Sequence, residues 1–223
     1  MTLALRPILA PLALALLLAT GNATAQQSID KVMGSITAQS GQTYGDLQTV
    51  NGSISIEDGA TTADAGTVNG SIKGGDKITT ADLETVNGSI RLGREARVEG
   101  GIETVNGSIF LDQGSKVRKG LENVNGAIGL VGTEVGEDIG MVNGDLTVGV
   151  GSHVHGGIKI EKNHGWSSKR TSEPRVVIGP NAVVDGPLVF ERPVKLYVHS
   201  SARIGKVTGA TAQSYSGNTA PED

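Results

Sequence analysis

His153 and His155, one residue apart in "GSHVHGG", offer the most versatile chemistry in this 223-residue chain. Side chains at i and i+2 of a strand leave on the same side, with Cα atoms ~6.5–7 Å apart. Two imidazoles so placed can share a divalent metal that carboxylates then complete. Glu134 and Asp185 are the carboxylates that adjacent layers of chain would bring beside them. Only two ligands are local in sequence, so the first reading is a pair of surface histidines and the second is a metal pair. Another group lies in the polar stretch "EKNHGWSSKRTSEPR" at 161–175. It holds His164, Lys169 and Arg170 around Trp166, the single tryptophan. An exposed ring among cations can stack on a sugar or meet an anionic polymer. The plainer reading is a loop whose tryptophan covers the side or end of the fold.

Other chemistries find little footing. The chain has no cysteine, which removes disulfides, thiolate nucleophiles and a lipid-modified cysteine. His199, in "VHSSARIG", stands without supporting residues for acyl transfer, and the calcium-binding repeat "GGxGxD" is missing. The expectation is a protein that is not an enzyme and uses no cofactor.

What must position these residues is a repeat. "TVNGSI" stands at 49–54, 67–72, 85–90 and 104–109, followed by "NVNGAI" and "MVNGDL". The asparagines fall at Asn51, Asn69, Asn87, Asn106, Asn125 and Asn143, at intervals of 18, 18, 19, 19 and 18, and Met33 marks a degenerate earlier copy. A fixed period near twenty signifies a solenoid. In the unit after Asn87, apolar residues pair as Ile90 and Leu92, Ala96 and Val98, Ile102 and Val105. The next gives Ile109 and Leu111, Ser115 and Val117, Leu121 and Val124. Three short strands per unit predict an all-β, single-stranded β-helix of about nine triangular coils, each of 18–20 residues, over 26–207. In this reading Val points inward, Asn-Gly turns the corner through left-handed backbone angles, and the six asparagines stack as an amide ladder. The pattern resumes after 161–175 as "VVIGPNAVVDGPL" and "LYVHSSARIGKV". Residues 208–223 lack periodic apolar positions and are expected to form a flexible tail. Units this short leave no length for the walls of a polysaccharide-cleaving groove.

Composition agrees: 33 glycines and 3% aromatic residues suit thin aliphatic layers better than one thick core. Residues 1–25 combine Arg6, an apolar run at 8–19 and Ala23-Thr24-Ala25, the pattern of a cleaved secretory signal peptide. Its removal takes away one arginine and leaves a net charge of −5, against −4 for the whole chain. That mild acidity, with both signs dispersed, argues against nucleic acid as a partner. The apolar run is short for a span of ~20 residues, so no transmembrane segment is expected after cleavage.

The recurring "ETVNGSI" over residues 31–146 resembles the bacterial adhesin family of VNGSI β-strand repeat proteins. "IGPNAVVDG" and "SSARIG" look more like coils of bactofilins, the polymer-forming bacterial scaffolds. The resemblance implies a right-handed β-helix in an exported bacterial protein, and the bactofilin likeness implies end-to-end polymerisation. The expectation for function is an exported structural, adhesive or self-assembling component of the cell envelope, in the periplasm or at the cell surface, whose partners are itself or an envelope polymer. The alternatives are a carbohydrate-binding module built on the Trp166 insert, and a metal-dependent enzyme on a β-helix scaffold.

Overall fold

The structure, a computed structural model, describes residues 26–162, 173–217 and 219–221. The leader expected over 1–25 lies outside them, as do His164, Trp166, Lys169 and Arg170 of the insert. Among the described residues there is no helix, hence none long and apolar enough to cross a membrane. Every strand belongs to a parallel β-solenoid with three faces. The first face has ten strands, from Gln27–Met33 to Val207–Thr208, and the second has ten, from Ile36–Ala38 to Ala212–Tyr215. The third has seven, from Thr79–Thr80 to Arg203–Ile204, and single bridges Thr43 to Thr61 to Thr79 carry it back to the first coil. At the interstrand spacing of about 4.8 Å, ten coils make a rod roughly 40 Å long.

The axis is lined as the repeat predicts. Ile90, Leu92, Ala96, Val98 and Ile102 are buried, as are Ile109, Leu111, Ser115, Val117 and Leu121 in the next coil. Like stacks on like: Ile72, Ile90, Ile109 and Ile128 are register partners along the second face. No coil could bury this surface alone, because each gains its main-chain partners only from the coils above and below.

The sixth inward position differs from the sequence expectation. Val105 and Val124 do not point inward, nor does any valine of a "VNG" triplet. The residue before each is buried instead: Thr49, Thr67, Thr85, Thr104, Asn123 and Met141. Strand alternation is the reason, since Ile102 and Thr104 share a face whereas Ile102 and Val105 do not. The threonine is accommodated because its hydroxyl donates to the carbonyl of the corner glycine one coil earlier, Thr85 to Gly70 at 2.9 Å and Thr104 to Gly88 at 3.1 Å. Asn123 reproduces this through Nδ2 to Gly107 at 2.9 Å, leaving its buried Oδ1 without a protein partner.

The corner asparagines do form the expected ladder, each Nδ2 donating to the preceding Oδ1 at 3.0 Å from Asn69 through Asn143. Their glycines are there for another reason than left-handed backbone. None of these asparagines has positive φ, and of the glycines that follow them four lack it, Gly126 and Gly144 having it together with Gly34 of the degenerate first corner. A Cβ at Gly52, Gly70, Gly88 or Gly107 would instead collide with the carbonyl of the glycine beneath it. Stacking at one strand spacing demands the missing side chain.

The expected flexible tail also needs correction. Val207–Thr208 closes the first face, and Ala212–Tyr215 pairs in register with Lys195–His199 on the second. Tyr215 packs on Val177 and Tyr197 outside the second face, with Ala220 against them. The Arg175 guanidinium holds this return by donating to the Pro221 carbonyl at 2.8 Å. A terminal strand needs no aliphatic inward row, so apolar periodicity could not reveal it.

Candidate functional site

The third face brings His153 and His155 together with both expected carboxylates. Strand Glu134–Val135 lies on one side of His153–Val154, and strand Val183–Val184, with Asp185 just beyond it, lies on the other. Val154 faces the axis, fully buried, so alternation forces both histidines outward. The ring centroids stand 4.0 Å apart. Contacts run diagonally: His153 Nε2 is 2.7 Å from Asp185 Oδ2, and His155 Nε2 is 3.1 Å from Glu134 Oε1. His155 Nδ1 lies 3.4 Å from the same Asp185 oxygen. The histidine side chains are 38% and 40% exposed, so solvent reaches the cluster.

Charge around this group is uneven. Lys116, one coil before Glu134, binds the second oxygen of that carboxylate at 2.6 Å. That bond, followed by the one from His155, holds the Glu134 carboxyl below its ordinary range. Asp185 is also depressed, chiefly by the hydrogen bond with His153. The atoms contributed by His153, His155 and Asp185 all lie within 4.8 Å of one another.

The second candidate can be described only at its base. Ile160 and Val176 take the register places that Met141 and Leu146 hold one coil earlier. The earlier corner needs five steps and this one takes sixteen, so the chain carries eleven more residues here than at the preceding asparagine corner. Both stumps are pinned. Lys159 Nζ reaches Glu161 at 2.6 Å and Glu191 at 3.3 Å, and the bond to Glu161 above all raises the lysine pKa. On the other side the Arg175 amide donates to Asp145 Oδ1 at 2.8 Å, and its guanidinium lies over Tyr197. Arg192, from the following coil, reaches across the gap to Asn143 Oδ1 at 2.6 Å and caps the asparagine ladder. Glu161, Glu191 and Arg192 carry no signal in the repeat pattern, because they fall where the asparagine corner is no longer repeated.

A third feature follows from the threonine–valine exchange. With threonine inward, Val32, Val50, Val68, Val86, Val105, Val124 and Val142 line the outside of the first face. Val32 is 64% exposed and Val86 40%. The asparagine ladder runs along one flank and Glu84, Glu103 and Glu122, stacked in register, along the other. The first face thus carries rows of identical side chains. No family model, curated protein or solved structure matches the chain.

Proposed function

We propose that this is an exported, non-enzymatic β-solenoid that serves as a structural, adhesive or self-assembling element of the bacterial cell envelope, with the outer side of the first face as its working surface. The observation that carries this reading is the valine stripe, in which Val32 and Val86 are open to solvent and the other valines of the row are half-buried. Contiguous exposed apolar rows on soluble proteins mark interaction sites. The leader-like composition of residues 1–25 supports export.

The favoured occupant is a second copy. A two-fold axis along the stripe would lay two parallel rods face to face, valine on valine. It would also set Glu84, Glu103 and Glu122 of each copy over Asn87, Asn106 and Asn125 of the other. Each of those amides carries two hydrogens, of which the ladder uses one. An antiparallel arrangement would instead oppose the glutamates to one another. Such an isologous contact is the commonest route to a homodimer. Sedimentation velocity of the protein and of Val86→Lys tests this. The wild type should associate as concentration rises, and the variant should stay monomeric with unchanged circular dichroism and melting. A wild type that remains monomeric, or a variant that associates equally well, removes the self-assembly reading.

A further inference from the structure

We propose that His153, His155 and Asp185 form a surface site for a divalent transition metal of the zinc type, with Glu134 of the preceding coil beside it, clamping the two consecutive coils that supply its ligands. This rests on the third face alone and is independent of the valine stripe.

The donor set comes first. Two imidazole nitrogens and a carboxylate oxygen suit zinc and its neighbours better than calcium or magnesium, which take oxygen ligands. These atoms converge within 4.8 Å of one another. Metal bonds of about 2.0–2.2 Å require only a modest inward rotation of side chains, and 38–50% exposure leaves these free to make it.

The hydrogen-bonding pattern gives a second reason. A neutral imidazole has one N–H. Carboxylate oxygens face His155 at both ring nitrogens, Glu134 at Nε2 and Asp185 at Nδ1. The Asp185 Oδ2 atom is also the one that His153 Nε2 approaches. With neutral rings, one nitrogen of His155 therefore sets its lone pair against an oxygen. A cation among the three groups removes that conflict, since imidazole nitrogen and carboxylate oxygen would both donate to it. Local charge favours the same ion. Lys116 balances Glu134, leaving the Asp185 carboxylate for the incoming cation.

Position gives the third reason. Glu134, the histidine strand and Asp185 belong to successive coils, and the insert departs between the second and the third of them. A metal here would tie coils across the one place where chain continuity along the rod is lengthened. Three protein ligands leave one tetrahedral position for water or an incoming donor atom.

Isothermal titration of untagged, chelator-stripped protein with ZnCl2 is the test, with metal content after gel filtration and the melting temperature as further readouts. One equivalent of Zn2+ should bind and raise the melting temperature by mass action. His153→Ala, His155→Ala and Asp185→Asn should each weaken binding at least about tenfold, in line with ordinary losses at metal sites. His199→Ala, on another face, should leave it unchanged. Circular dichroism of each apo variant controls for folding. Absence of Zn2+ uptake by the wild type overturns the proposal. Equal uptake by the His153→Ala/His155→Ala double variant overturns it as well.

Discussion

At the scale of single residues, the fold pairs most of its inward hydroxyls with a carbonyl one coil away. Thr85 is the clearest case: buried, its hydroxyl bonded to Gly70, beside a Val86 that is 40% exposed. The two residues are close in size and opposite in environment, so exchanging polarity at each gives opposite results. Thr85→Val leaves a carbonyl short of a donor and should cost about 1 kcal/mol. Val86→Thr should stay within about 0.5 kcal/mol, as surface substitutions do. Urea midpoints for the two variants check this, and a costlier Val86→Thr would return valine to the interior. The asparagine ladder was legible in the sequence, because an amide recurring at one position of every unit has a single stacked arrangement. The threonine–valine order was not. Hydrophobicity alone ranks valine as the inward residue, and only the spacing from Ile102, combined with a hydroxyl able to reach a corner carbonyl, reverses it.

At the scale of strands and ladders, stacking repeats whatever charge a position holds. The Glu84, Glu103 and Glu122 row places like carboxylates one strand spacing apart. Glu84 shows the cost: desolvation first, then Glu103, Asp82 and Asp64, raise its pKa above the ordinary value. A carboxyl with a raised folded pKa binds protons more readily folded than unfolded. Its penalty is full above the folded pKa, shrinks as pH falls through that value, and is gone below the unfolded value of 4.5. Glu84→Gln should therefore stabilise the protein at neutral pH by a few tenths of a kcal/mol, the scale of exposed charge pairs. The gain should vanish on acidification. Melting of both proteins from pH 7 to pH 4 measures it, and a gain that persists at the acid end contradicts the assignment. The sequence announced the third-face rungs that meet at His153 and His155, because register follows directly from the period; the glutamate row obeys the same register but was not read from it. The sequence was silent on Glu161, Glu191 and Arg192, which follow paired strands in register but fall where the asparagine corner is no longer repeated, so no recurring letter marks them. It was also silent on Ala212–Tyr215, whose inward positions are Ala212 and Ser214.

At the scale of the whole molecule, strand pairing runs between neighbouring coils, with a few side chains such as Lys119 and Arg192 reaching one coil further, so stability is distributed along one dimension. Ile90 sits at 0% exposure between Ile72 and Ile109 of the adjoining coils. Ile90→Asp places a carboxylate in an axis lined there by aliphatic side chains, where a charge without a partner is strongly disfavoured. A compact globular core would transmit that defect everywhere. A solenoid can confine it, because the coils on each side keep their own neighbours. The fourth coil is lost first, which strands three coils toward the N-terminus, about the minimum for an independent stack. The larger block, from strand Ile109–Leu111 onward, retains most of the rod. Hydrogen exchange by mass spectrometry should accordingly show protection falling from Gln27 to about Leu92 while strands beyond Ile128–Leu130 stay protected. Unchanged protection and melting would refute the inward placement of Ile90. Uniform loss along the chain would show instead that the coils cooperate over the full length of the rod, and the one-dimensional account would fail.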